Sequence, residues 1–139
     1  MNAFLWALLT AAIWGVVPLM EKIGLGQAPP AVGVLVRSVG IVLGLIVYSF
    51  CGAPWSQVRG LSWSSMLLLA GGGLLASFMG QMAFYHALRA GAVSQVTPVA
   101  GAYPLVATLL GWFVLREPLT TMRALGVGFV VLGVALLRK

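Results

Sequence analysis

The chain has 139 residues, of which 61% are hydrophobic and 7% are charged, and its formal net charge is +6. Soluble domains usually carry about 25% charged residues, so this composition excludes a soluble globule, which would have no polar surface to cover its core. The few basic residues form no clustered stripe, which excludes nucleic acid as a partner. The class that remains is a multi-pass membrane protein surrounded by membrane lipids.

Five apolar stretches are each long enough to cross a bilayer. A hydrocarbon core of about 30 Å needs about 20 helical residues, since each residue adds about 1.5 Å. The sequence therefore predicts an all-α membrane protein in which residues 1–139 form a single transmembrane domain. Its five helices are predicted at residues 3–20, 30–51, 65–88, 92–115 and 119–137.

The first stretch is interpreted as a helix rather than a signal peptide. No Lys or Arg precedes it, and Glu21 and Lys22 follow where small residues would favour cleavage. The single cysteine, Cys51, lies at the end of the second stretch and has no second cysteine to pair with. It is interpreted as a small apolar residue of that helix.

The basic residues are divided almost evenly between the two sides of the membrane. With five spans, the N-terminal side holds Arg59, Arg116 and Arg123, and the opposite side holds Lys22, Arg89, Arg138 and Lys139. A topology is set by a bias in such counts, and three against four is hardly a bias. The pattern favours insertion in both orientations and an antiparallel homodimer, similar to the inverted repeats of secondary transporters. The alternative is one fixed orientation, set by charges of unequal weight.

Small residues recur at four-residue spacing along the predicted helices, which favours packing seams where backbones approach closely. Glycine is common in membrane helices in any case, and this explains part of the pattern. The seams are at Ala7, Ala11 and Gly15; Gly40 and Gly44; Gly72, Ala76 and Gly80; Ala107 and Gly111; and Gly126, Gly128 and Gly133. Whether they form contacts within one chain or between two copies is open, and the fifth helix is a candidate for the dimer contact.

A series of short motifs follows the same order along the chain as in a known family. They are Trp14-Gly15, Pro29-Pro30 with Arg37, Ala87-Leu88, Pro98, Pro104, Arg116-Glu117-Pro118, and the glycines from Gly126 to Gly133. Together they resemble one repeat of the EamA-type drug/metabolite transporter superfamily, over nearly the whole chain. Most members carry two such five-helix repeats of opposite orientation, and this chain resembles the single-repeat form. The resemblance implies a homodimer in a bacterial-type cytoplasmic membrane that moves small metabolites or drugs through a shared cavity by alternating access.

Two ionisable residues at membrane depth are candidate functional residues. Arg37 lies roughly 10–12 Å along the second helix, at about 1.5 Å per residue. Glu21 lies roughly 8–9 Å inside the same boundary by that rise, if the first helix continues to about Gly26. We expect the two to form an ion pair, which either serves structure alone or also contacts the solute.

Further candidates lie on the third and fourth helices. His86, near Gln81 and Tyr85, is either a proton-coupling group or a hydrogen-bonded interfacial histidine. Pro98 and Pro104 have no N–H group, so each leaves a backbone carbonyl without its helical partner. Membrane helices tolerate such carbonyls beside a water-filled cavity. The two prolines therefore predict that the fourth helix lines the pathway. The predicted pathway residues are Trp14, Arg37, Gln81, Thr97 and Tyr103, and the predicted coupling or ion-pair residues are Glu21, Arg37 and His86.

Thr97 and Tyr103 directly precede the two prolines and offer hydroxyl groups, whereas Trp14 offers a stacking face. An aromatic belt at the membrane interface is the alternative for any tryptophan here.

The sequence also argues against two mechanisms. Small multidrug resistance pumps, which are four-helix relatives, use a glutamate near the middle of their first helix, and the corresponding residues 8–17 hold no carboxylate. Facilitated transport, or coupling through His86, therefore fits better than the same proton antiport. Two carboxylates and one histidine give neither metal-ligand spacing nor a nucleophile–base arrangement, so no enzyme, metal or cofactor is predicted. The competing hypothesis is an auxiliary membrane subunit or lipid-linked flippase component that acts with a partner chain.

Overall fold

The structure is a computed structural model and describes residues 2–52 and 55–137. All the regular secondary structure in these two ranges is helical. The chain divides into two compact units, Met1–Arg89 and Ala90–Lys139.

The first unit begins with two long helices joined by a short turn. Helix α1 (Ala3–Leu25) starts at Asn2, whose side chain accepts a hydrogen bond from the Leu5 backbone N–H at 3.0 Å. It continues past the predicted end at Met20 and through Gly24, and it ends at Leu25 because Gly26 leaves the helical conformation with φ +48°. Helix α2 (Pro30–Phe50) begins with a proline at its first position, where the missing N–H costs no hydrogen bond.

The third span of the first unit is not a uniform α-helix. After the short helix α3 (Trp55–Arg59), helix α4 (Trp63–Leu74) continues through a π-helical segment (Leu75–Gly80) into α5 (Gln81–Ala90). The span is therefore longer at both ends than the predicted 65–88. A π-helical turn holds more residues than an α-helical turn, so it rotates the side chains that follow it around the helix axis. The π-helical segment packs against α2.

The second unit contains α6 (Val93–Ala100), α7 (Tyr103–Leu115) and α8 (Thr121–Leu136), and α7 packs against α8. The predicted continuous helix 92–115 is interrupted at Gly101 and Ala102. Pro104 causes this, because it has no N–H to donate to the carbonyl four residues earlier and instead occupies the first turn of a new helix. Pro98, by contrast, lies inside α6.

Four segments are long and apolar enough to cross a membrane, namely Ala3–Leu25, Pro30–Phe50, Trp63–Ala90 and Val93–Leu115. Helix α8 has 16 residues and is apolar but shorter. At about 1.5 Å per residue it covers about 24 Å of a hydrocarbon core of about 30 Å. The chain is thus an all-helical, multi-pass membrane protein, and the fifth span stays a prediction.

Most apolar side chains lie on the outside of the helices. The buried hydrophobic residues in the described part of the chain are Leu25, Val34, Tyr85 and Leu88. Most glycines of the predicted seams also face open space, since a methyl group added there would meet no atom within 4 Å; these are Gly15, Gly40, Gly44, Gly72, Gly126, Gly128 and Gly133. These seven glycines therefore make no close packing contact within the chain.

Gly33 is the point of closest helix approach in the first unit. A Cβ atom at Gly33 would lie 2.6 Å from the ring of Tyr85 and 2.8 Å from Cδ1 of Leu25. Both neighbours are buried. Only a residue without a side chain therefore lets α2 pass this close to α1 and the third span.

We predict that Gly33→Ala lowers the thermal stability of the protein, because overpacking typically costs about 1–3 kcal/mol and outweighs the gain of about 0.5–1 kcal/mol in helix propensity. The matched control is Gly73→Ala in α4, where a methyl group meets no atom within 4 Å. Thermal unfolding of both variants in detergent measures the effect. Equal midpoints for the two variants would show that the approach at Gly33 is not tight.

Candidate functional site

The carboxylate of Glu21 joins three helices of the first unit. Its Oε1 atom accepts hydrogen bonds from Gln81 Nε2 at 2.9 Å and from the Tyr85 hydroxyl at 3.0 Å. The same atom lies 3.3 Å from Nε of Arg37, and the Glu21 side chain is 11% exposed. One oxygen thus receives donors from α2 and from the third span, and we call these four residues the Glu21 cluster.

The helices place the donors by simple spacing. Gln81 and Tyr85 are four residues apart on α5, so both side chains lie on one face. Glu21 lies in the C-terminal part of α1, in the turn by which the helix extends beyond the predicted end at Met20 to Leu25. Lys22, the next residue, donates a hydrogen bond to the backbone carbonyl of the fully buried Leu88. The end of α1 is therefore tied to the third span by two consecutive side chains.

A pocket of about 280 Å³ lies beside the Glu21 cluster. Ligand pockets commonly have about 300–1,000 Å³, and this one lies just below that range, which limits it to a small organic molecule. Its polar lining comes from Glu21, Arg37 and Tyr85, and its apolar lining includes Met20 and Val36. The arrangement can hold a solute with a polar group at the cluster and an apolar body against the aliphatic side chains.

Arg37 has more hydrogen-bonding capacity than the cluster uses. Its Nε faces Glu21, whereas its Nη1 is buried and has no hydrogen-bond partner among the residues that the structure describes. The Arg37 side chain as a whole is 32% exposed, and it lines the pocket. A buried donor without an acceptor is unfavourable, and an acceptor on a bound solute would satisfy it.

The structure brings together Glu21, Arg37 and Gln81 of the predicted site residues. Trp14 lies on α1 with 58% of its surface exposed and is not part of the cluster. His86 is exposed and lies one residue, or about 100°, around the helix from the clustered Tyr85. Its side chain has no hydrogen bond or ion pair within the described ranges, and its coupling role stays a prediction.

Two predicted pathway residues belong to the second unit. Thr97 lies on α6, and its hydroxyl oxygen is buried without a hydrogen-bond partner in the described part of the chain. Tyr103 is the first residue of α7 and is exposed. Their roles in a pathway stay predictions.

Sequence reasoning named Tyr85 only as a neighbour of His86 and did not single out Gly33. The signal for Tyr85 was its four-residue spacing from Gln81, which places both on the face that meets Glu21. The close approach at Gly33 depends on how three helices pack, so no local pattern could reveal it. In the described residues, no group of three or more His, Cys, Asp or Glu side chains is placed to hold a metal ion.

Comparison with known proteins gives two relatives and one family. Residues 1–139 match the EamA-like transporter family. A Sinorhizobium protein named "Uncharacterized transporter in cobO 3'region" is 30% identical over 135 residues, which cover 95% of this chain and 93% of that protein. An uncharacterized protein of Methanocaldococcus jannaschii is 28% identical over 139 residues, which cover 98% and 96% of the two chains. No solved structure matches the chain.

We predict that Tyr85→Phe destabilises the protein by about 0.5–2 kcal/mol, because it removes one donor to a carboxylate and keeps the packed ring. The control is Tyr48→Phe in α2, where the tyrosine is 57% exposed. Denaturant unfolding in detergent micelles compares the two variants. If both lose the same stability, the hydroxyl of Tyr85 does not support Glu21.

Proposed function

Since this chain belongs to the EamA-like transporter family, we propose that it is a secondary transporter that moves small organic solutes across the cytoplasmic membrane by alternating access in a homodimer. The observation that carries the proposal is the Glu21 cluster, which holds charged groups within apolar helices beside a pocket of about 280 Å³. Ionisable residues in membrane helices are costly and mark solute pathways.

The chemistry of the pocket supports a solute that carries a hydrogen-bond acceptor. Arg37 presents a donor without a partner among the described residues, and the aliphatic lining favours an apolar body. Small metabolites and drugs combine these two features.

The shared oxygen of Glu21 offers a means of coupling solute binding to helix movement. An anionic acceptor that binds Nη1 of Arg37 repels the carboxylate of Glu21 and so weakens the contact between α2 and α1. Gln81 and Tyr85 still hold Glu21 to the third span. A solute that prefers the state with the weakened contact shifts the population toward it, which is the requirement for alternating access.

The exposed apolar helices support a dimer. One copy buries few side chains, and seven of its nine seam glycines make no close contact within the chain. Small residues that face outward let a second backbone approach, which drives helix association in lipid. The near-even division of basic residues supports an antiparallel arrangement.

We predict that exchanging the two charges, by Glu21→Arg with Arg37→Glu, preserves assembly and abolishes solute transport. The exchanged pair still attracts, and Gln81 can rotate its amide to accept from the new arginine. In the exchanged variant the guanidinium projects from α1 instead of α2, so it no longer meets the acceptor of the bound solute. Uptake into proteoliposomes of a solute found by a thermal-shift screen measures transport, and gel filtration measures assembly.

The screen compares amino acids, nucleosides, sugars and lipophilic cations, and Arg59→Lys serves as a control that changes an arginine far along the chain from the cluster and keeps its charge. A swapped variant that transports like the wild type would mean that Glu21 and Arg37 only pair. A protein that never forms a two-copy assembly in native mass spectrometry would support the alternative, a subunit or flippase component that needs a partner chain.

We predict that reporters fused to the C-terminus are found on both sides of the membrane. Because the charge counts are nearly equal, Arg59→Gln shifts the ratio toward the orientation whose N-terminal side faces outward. Arg59→Lys keeps the charge and leaves the ratio unchanged. Strictly one-sided reporters in the wild type would remove dual insertion.

A further inference from the structure

A second pocket, of about 200 Å³, lies at the turn between α7 and α8 in the second unit. It is lined by Thr108, Trp112, Glu117, Leu119 and Arg123. We propose that this pocket binds a phosphoethanolamine group, supplied by the headgroup of a zwitterionic membrane lipid. The proposal does not depend on the transport function or on the Glu21 cluster.

The turn after α7 carries Glu117 into the pocket. Arg116 ends the helix in the left-handed conformation, with φ +54°, and this reverses the chain direction. The backbone N–H of Glu117 then donates to the carbonyl of Gly111 at 3.1 Å. Its carboxylate lies 3.5 Å from the position that a Cβ atom of Gly111 would occupy. The carboxylate of Glu117 therefore lies directly beside the backbone of α7 at Gly111.

The same turn holds Arg123 at the pocket. Nη1 of Arg123 donates to the carbonyl of Pro118 at 3.2 Å. The backbone N–H of Arg123 donates to the Thr120 hydroxyl at 3.4 Å. Thr120 is the residue that caps the N-terminus of α8. The guanidinium has five N–H donors, so these contacts leave most of its capacity for a ligand.

The two charges line one pocket but do not pair. Among the described residues, Glu117 and Arg123 form no ion pair. The carboxylate oxygens of Glu117 are more than 4.0 Å from the guanidinium nitrogens of Arg123. Both residues are exposed. A ligand that carries both signs satisfies both: a phosphate accepts from the guanidinium of Arg123, and an ammonium donates to Glu117. Trp112 adds an aromatic face that also attracts an ammonium group.

The position of the pocket favours a lipid as the source. It lies at the end of α7, which completes the apolar segment Val93–Leu115, so it is close to the level of the lipid headgroups. Trp112 and Leu119 are 47% and 44% exposed, which leaves apolar surface for acyl chains beside the polar site. Tryptophan is enriched at this level of membrane proteins.

The same chemistry ranks the common phospholipids. Phosphatidylethanolamine offers a phosphate and an ammonium with N–H donors. Phosphatidylcholine has a quaternary ammonium, which attracts Trp112 but cannot donate to Glu117. Phosphatidylglycerol has only the negative group, and Glu117 repels it.

Lipid titration of the purified full chain, followed by native mass spectrometry, tests the proposal. We expect phosphatidylethanolamine to bind at least about tenfold more tightly than phosphatidylglycerol, which corresponds to about 1.4 kcal/mol. Arg123→Gln should weaken the binding of phosphatidylethanolamine by about fivefold or more, as expected for the loss of one charge-assisted contact. Glu117→Gln should weaken the binding of phosphatidylethanolamine and strengthen the binding of phosphatidylglycerol. General damage to the fold would not change the two affinities in opposite directions.

The control Arg59→Gln removes another exposed arginine and should leave the order of lipids unchanged. Equal or tighter binding of phosphatidylglycerol by the wild type would overturn the proposal, even if the variants fail to fold. Loss of both lipids alike in Glu117→Gln would also overturn it. Soluble glycerophosphoethanolamine that binds as tightly as the lipid would contradict the lipid source, whereas weak binding supports it.

Discussion

One carboxylate oxygen organises the first unit of this protein. Glu21 lies among apolar helices, where an ionised group without partners costs several kcal/mol or more. The chain satisfies it with a guanidinium, an amide and a phenol hydroxyl, which come from two other helices. Because the Glu21 side chain is only 11% exposed, most of these contacts come from the protein itself or from a bound solute.

Several features of the unit follow from this requirement. Helix α1 has to continue to Leu25 so that Glu21 and Lys22 reach the third span. Gly33 lets α2 come close enough for Tyr85 to pack over it. The π-helical segment directly precedes Gln81 and helps to set the direction of both donors on α5. The side chains that hold the helices together also line the pocket, so a solute bound there would touch the same side chains.

The sequence predicted those parts of the fold that the bilayer imposes. Spans of about 20 apolar residues must be helical, because lipid offers no partner to backbone groups. The ion pair of Glu21 and Arg37 was expected from the rise per residue, and the order of motifs indicated the family. The π-helical segment, the break before Tyr103 and the packing at Gly33 were not predicted. They depend on contacts between helices, whereas a sequence pattern reports only the period of one helix.

Glu21 and Arg37 form one charged unit at the centre of the first unit's contacts. A double-mutant cycle with Glu21→Gln and Arg37→Met tests it, because the amide oxygen that replaces the carboxylate still accepts from Gln81 and Tyr85 while the charge is removed. Unfolding free energies are measured for the two single variants and the double variant in the same lipid nanodiscs. We expect the double variant to be more stable than either single variant, with a coupling energy of about 1–3 kcal/mol. Additive losses would contradict the claim.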